Sequence, residues 1–377
     1  MLFNGDRLKQ ARILRGLTVA ELAERVSQQR QTLSMYEINK SQPSTKVVEM
    51  LSKELHFPTN YFYEKSIDRK GTVYFRSLLT TNKRYRNEQI AKMEILSSIY
   101  NFLNDYIEFP AFDRQAIPCG LNPKETAAKL REEWNLGLEP IENLVSVVEQ
   151  HGILVTSFDT SIDDIDAFSE PLLFDDSSTF LIAYSNNKTS AARIHFDIAH
   201  ELGHIFLHDW NDDIEDISKD EFKTREQEAN DFAAAFLLPE EAFRNDVSCD
   251  PCNLMYYKQL KRKWRASIAA LIRRAKDLNI ISMDKYQMLI RTMQRRGQRK
   301  EEPLDDVLIT ASPAMLKTSI ILLLHENVFT PEEFMSTLSS SYGLSIYPDD
   351  VEVLLDLPEN TLSPQKIINI TNYLKIK

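Results

Sequence analysis

The sequence predicts a multidomain chain, mainly α with a small β-sheet. It divides into an all-α N-terminal domain, an α+β domain in the middle and a helical C-terminal region. Three observations carry this. The first 66 residues break into four short amphipathic segments separated by turn signals. The stretch Ala191–Trp210 (AARIHFDIAHELGHIFLHDW) has helical periodicity and holds four of the seven histidines. Three strand-like runs stand just before it: GILVTSFDT, part of 162–174, and TFLIAYSN. At 377 residues there is room for two or three domains.

Taken in order, residues 6–15 (DRLKQARILR) form a helix that stops at Gly16. Thr18 then caps a second helix, with Glu21 three residues on completing a capping box. After Ser27-Gln28 a third helix, QRQTLSMYEINK, follows a tight turn, and Thr45–Leu55 makes a fourth. Short helices with a tight turn between the second and third describe a helix-turn-helix arrangement. The stretch LTVAELAERVSQQRQTLSMYE resembles the XRE, or lambda-repressor-like, family, whose pattern runs L-T-x-x-E-L-A, then eight positions, then T-I-S-x-Y-E. The resemblance implies binding of double-stranded operator DNA over residues 1–66. The third helix would enter the major groove with its N-terminal residues towards the bases. Arg30, Gln31 and Ser34 take the outward positions, with Gln28 and Gln29 beside them, and Arg and Gln suit bidentate contacts to guanine and adenine. Lys40, with Ser41, suits phosphate. Val19 stands where many relatives carry a glutamine that braces the DNA backbone. The competing reading is a small helical module that binds protein, as in an antitoxin-like or scaffold partner.

Residues 67–122 read as a connector. Within it Glu88–Tyr106 has a helical apolar stripe (Ile90, Met93, Ile95, Ile99, Phe102, Leu103). Pairing with its copy would give the homodimer that a palindromic operator needs. A core role inside one chain fits the same pattern.

The middle domain is expected over 123–245, with helices at 124–136 and 140–151, the three strands, then the histidine-rich helix. There Ile194, Ile198, Leu202 and Ile205 make one apolar face, and Thr189 or Ser190 can cap the start. His200-Glu201-Leu202-Gly203-His204 is an H-E-x-x-H pattern. One helical turn separates His200 from His204, so both imidazoles can reach one metal, and Glu201 is placed to take a proton from water. Chance occurrence on an incidental helix is the plain alternative. A catalytic zinc site needs a third side chain. The alanine-rich helix TREQEANDFAAAFLLP (Thr224–Pro239) offers Glu226, with Glu228 in reserve, since the two point about 200° apart around a helix. Asn230, one turn after Glu226, could brace a histidine ring. His208 follows His204 by only four positions with no glycine between, which suits a structural or bracing role rather than a third ligand. His195 reads as a satisfied polar residue.

FDIAHELGHIFLH followed by EQEANDFAAAFLLP resembles the ImmA/IrrE family of metallopeptidases. The resemblance implies a zincin-like, gluzincin-type fold, one Zn2+ held by His200, His204 and Glu226, and Glu201 as catalytic base. It also implies zinc-dependent cleavage of a repressor-type protein in a stress or mobile-element response. The chain itself is the other possible substrate. His195-Phe196-Asp197 departs from the family's Arg-Phe-Thr, with Arg193 just before it. Tyr184, Arg193 and His195 lie near enough in sequence to stabilise an oxyanion, and the sequence does not choose among them. A structural or sensory metal without proteolysis is the rival to catalysis.

Residues 246–302 form a basic helical segment with Ser267 as a cap. It is either a further helix-turn-helix-like unit or a solvated basic face. Residues 303–377 add helices at Lys317–Asn327 and Pro331–Ser341, with no readable motif. The net charge of −11 hides a segregation. Residues 1–66 carry ten basic against seven acidic side chains, 157–221 three against sixteen, and 258–300 fourteen against two. Three cysteines argue against a disulfide framework, and Cys249-Asp250-Pro251-Cys252 is a weak redox or metal signal. MLFNGDRLKQ contains no signal segment and no apolar run could span a membrane, so a cytoplasmic location is expected.

Overall fold

A computed structural model of the chain describes residues 2–66, 74–75, 83–158, 167–173, 178–186, 190–210, 218–299 and 301–363. Its elements are, in chain order, α1 (Gly5–Leu14), α2 (Val19–Arg25), α3 (Arg30–Glu37), α4 (Thr45–Leu55), β1 (Tyr74–Phe75), α5 (Lys83–Asn104), α6 (Pro123–Glu133) and α7 (Leu144–Gln150). The strands β2 (Leu154–Phe158), β3 (Ala167–Leu173) and β4 (Ser178–Ser185) lead to α8 (Ala191–Leu207) and α9 (Lys219–Leu237). There follow α10 (Glu240–Val247), α11 (Leu254–Trp264), α12 (Ile268–Asp277), α13 (Met283–Arg295), α14 (Met315–His325), α15 (Pro331–Tyr342) and α16 (Pro348–Leu354). The chain is mostly helical with one small sheet, as expected. The described residues form two compact units: α1–α5 with residues 316–363, and β1 with the described part of 109–315.

In the first unit the capping box of α2 is present. Thr18 Oγ1 accepts from the Glu21 N–H at 3.2 Å, and Glu21 Oε2 accepts from the Thr18 N–H at 2.6 Å. Gly5 is required where α1 meets the end of α3, since a Cβ there would lie 2.1 Å from the Tyr36 carbonyl oxygen. The amphipathic stripe of α5 takes the intrachain role. Ala91, Ile95, Ile99, Phe102 and Leu103 are buried, and the Phe102 ring sits 4.8 Å from that of Phe334 on α15. α16 was not expected; Pro348 at its first turn and two acidic residues beside it account for its start.

The second unit is built on a sheet in the order β1-β3-β4-β2. β2 runs parallel to β4, and β3 antiparallel to it, with Ser169 opposite Ile182. β1, also unexpected, pairs antiparallel with β3, Tyr74 opposite Ser169 and Phe75 opposite Phe168. It therefore covers that stretch of the sheet edge. The apolar face of α8 (Ile194, Ile198, Leu202, Ile205) joins the common core with Ile182, Tyr184, Phe232 and Phe236. α9 begins at Lys219, earlier than the sequence suggested, because Ser218 accepts from the Glu221 N–H and caps it.

The basic segment is part of this unit rather than an appendage. Leu260, Trp264, Ile268, Leu271 and Ile272 are core residues, while Lys258, Lys263 and Arg273 stay at the surface or half-buried. Lys261 is buried between Glu302 and Asp305, at 2.8 and 2.5 Å. Glu302 also accepts from the N–H groups of Ile268 and Ala269 at the start of α12. The three cysteines are exposed and free. No helix among the described residues is long and apolar enough to cross a membrane.

Candidate metal centre

The start of α8 is held from three sides. The Ala191 N–H donates to the Leu308 carbonyl (3.0 Å), and Ser190 Oγ to Asp305 Oδ1 (2.7 Å). His195 Nε2 accepts from the Leu144 N–H (3.4 Å) and lies 3.0 Å from Thr310 Oγ1. Burial first, and then the charge of Arg265, lower the His195 pKa to about 4, so this imidazole is neutral.

One turn along, His200 and His204 face α9. Their Nε2 atoms are 3.0 Å apart, and Glu226 places Oε2 3.5 Å from His200 Nε2 and Oε1 3.3 Å from His204 Nε2. Both histidines are buried, and Glu226 is mostly so. Burial lowers the His204 pKa to about 3 and so keeps the ring neutral; the hydrogen bond to Glu226 pulls the other way. For Glu226 burial acts to raise the pKa, but hydrogen bonds to His200 and His204 outweigh it and bring it to about 2. Two imidazoles and a carboxylate thus bring three possible metal-ligand atoms within 3.0–3.5 Å of one another. Zinc bonds of 2.0–2.1 Å in a tetrahedron set donors about 3.3 Å apart, so both the spacing and the donor chemistry fit that ion.

Gly203 makes the approach of α9 possible. A Cβ there would meet Ala229 Cα at 2.9 Å and its carbonyl oxygen at 3.1 Å, backbone atoms that cannot turn aside. Gly203→Ala is expected to cost about 1–3 kcal/mol by overpacking and to weaken zinc binding, because Glu226 rides on the displaced helix. Thermal unfolding and chelator competition check both. Wild-type affinity in a destabilised variant would disconnect the packing from the site.

Beside the cluster, Glu201 is 1 % exposed and its Oε2 accepts a hydrogen bond from Ser169 Oγ at 2.5 Å. Sequence reasoning missed Ser169; it sits in no motif, and only the placement of β3 against α8 brings it there. Glu228 lies 3.2 Å from His208 Nε2 rather than among the three converging donors, and His208 Nδ1 lies 2.9 Å from His204 Nδ1. Asn230, expected to brace a histidine ring, donates its amide N–H to the Glu226 carbonyl one turn back. Tyr184 is hydrogen-bonded to Ser157, with burial raising its pKa to about 12. Arg193 is half-buried in the first turn of α8.

On the first unit, Gln29, Arg30, Gln31, Ser34 and Lys40 are exposed, and Gln28 is half-buried with its amide on the Ser27 carbonyl. Arg30 and Gln31 are the first two residues of α3.

Residues 148–276 match a peptidase family described as the IrrE N-terminal-like domain, and residues 8–62 match the helix-turn-helix family. No curated protein matches the chain. Among solved structures, PlcR of Bacillus thuringiensis, in complex with the peptide PapR7 and DNA, is 14% identical over 78% of this chain and 97% of its own, with a TM-score of 0.15.

Proposed function

For a chain that joins an XRE-type helix-turn-helix domain to an IrrE N-terminal-like peptidase domain, we propose a DNA-binding transcriptional regulator that is also a zinc-dependent endopeptidase. The observation that carries the second half is the convergence of His200, His204 and Glu226 within 3.0–3.5 Å, with Glu201 buried beside them. These three hold one Zn2+. When bound, zinc supplies Lewis acidity, polarising a carbonyl and making water more acidic. Glu201 takes the proton of the attacking water on Oε1, while the Ser169 hydroxyl holds Oε2 and fixes the carboxylate plane. The same oxygen then delivers the proton to the leaving amine. The peptide bond breaks and water is consumed.

The substrate is a repressor-type protein or the chain itself. One observation favours the chain itself: Tyr74–Phe75 lies along β3 with Tyr74 opposite Ser169, the residue that holds Glu201. A strand added to a sheet edge is a common way to present an extended peptide. N-terminal peptide profiling of cells carrying wild type or Glu201→Gln, before and after DNA damage, tests the reading. New termini confined to wild type name the substrate, and a terminus within this chain identifies self-cleavage. No such termini under several stresses would leave a regulator whose metal is structural or sensory.

DNA reading is assigned to α3, docking as a homodimer on a two-fold operator. Arg30→Ala and Gln31→Ala are each expected to cost about 1–3 kcal/mol on the operator with little change on unrelated duplex. Lys40→Ala should weaken all duplexes alike and lower the salt slope by about 1. Mobility shifts over a salt series measure this. Equal loss on all sequences from all three variants would reassign the module to protein binding.

A further inference from the structure

The metal centre proposed above leaves two residues with ordered contacts and no role: His208, at the C-terminal end of α8, and Glu228, on α9 one residue beyond the neighbour of Glu226. We propose that Glu228 and His208 form a positioning relay that fixes the ring plane and the tautomer of His204. The ring nitrogens must pair donor to acceptor along the chain of contacts. If His204 offers Nε2 to a metal, its ring proton must sit on Nδ1. That atom is 2.9 Å from His208 Nδ1, which must then accept. His208 consequently carries its own proton on Nε2, 3.2 Å from Glu228 Oε2, an acceptor. Each link has one donor and one acceptor, and the reverse assignment puts a proton on His204 Nε2 and removes it as a ligand.

His208 is held in place on both sides. His208 is 5 % exposed, its N–H donates to the His204 carbonyl at 3.2 Å, and its own carbonyl accepts from Arg114 Nη2 at 2.5 Å. Glu228 is half in solvent, so its carboxylate is available without a buried charge. The relay also ties the end of α8 to the part of α9 that carries Glu226. Partners of this kind orient ligand histidines and typically change metal affinity 10- to 100-fold.

The inference rests on the zinc reading, and the test separates the two. Zinc affinity is measured on the full chain by chelator competition. His208→Leu keeps bulk but loses the acceptor, and should bind zinc 10- to 100-fold more weakly. His208→Asn, which offers both an acceptor and a donor, should recover most of that. Glu228→Leu should weaken binding less, and should add nothing in a chain already carrying His208→Leu. As a check that needs no variant, long-range nitrogen–proton NMR of the zinc-loaded wild type should show His204 protonated on Nδ1 and His208 on Nε2. Zinc affinity of His208→Leu within twofold of a zinc-binding wild type overturns the relay alone, as do the opposite tautomers. Failure of the wild type to bind zinc overturns the relay together with the centre.

Discussion

Zinc-loaded Glu201→Gln is expected to cleave peptide about 10²- to 10⁴-fold more slowly than wild type, with kcat reduced and KM little changed. Zinc content should remain at one per chain. The separation follows from geometry. Glu201 is next to His200 in sequence, and its Oε2 is bonded to Ser169 on β3, while the three converging ligand atoms come from His200, His204 and Glu226. Gln keeps the shape of the side chain, and its carbonyl oxygen can still accept from Ser169, so the fold around it should persist. What it loses is the basic oxygen that takes a proton. Metal analysis beside steady-state kinetics decides the matter. Full zinc with undiminished cleavage would discard Glu201 as base, and loss of zinc would make it a ligand or a support for one.

The site was legible in the sequence to the extent that helix geometry alone determines it. His200 and His204 share a face because four residues make one turn, and that holds wherever the helix packs. Glu226 was reachable because an alanine-rich helix of suitable length follows, and its position relative to Glu228 is again helical arithmetic. Contacts between distant elements follow no such periodicity. Ser169 reaches Glu201 only because β3 pairs with β4 and packs on α8. Asn230 was expected near a ring because it follows Glu226 by one turn, but that spacing equally lets a side-chain amide bond its own helix, which is what it does. The stripe of α5 announced burial without naming a partner, and its partners, α1 and α15, are remote in sequence. The role of residues 302–314 was hidden for the same reason. Glu302 bonds the start of α12, while Asp305, Leu308 and Thr310 all bond the first turns of α8, from a stretch with no helical or strand period.

Glu37→Ala is expected to destabilise the helix-turn-helix unit by about 3–5 kcal/mol, the range for breaking a buried ion pair from one side. Arg12 Nε bonds Glu37 Oε1 at 2.5 Å and Nη2 bonds Oε2 at 3.0 Å, while Nη1 donates to the Leu17 carbonyl at 2.7 Å. The two side chains are 10 % and 7 % exposed. Removing the carboxylate leaves a guanidinium desolvated with one carbonyl for company. Since a domain is stable by only about 5–15 kcal/mol, much of the unit should melt well below wild type in calorimetry, with DNA binding lost alongside. Arg12→Met/Glu37→Leu removes both charges and should recover much of the stability. That contrast identifies the cause. A double variant as unstable as Glu37→Ala would make packing, not the stranded charge, responsible. The pair joins the end of α3 to α1 and to the turn before α2, so its loss reaches DNA through the orientation of α3. Arg30→Ala should leave melting unchanged and weaken only the operator complex, so stability and binding measured together tell a residue that reads bases from one that holds the reading helix in place.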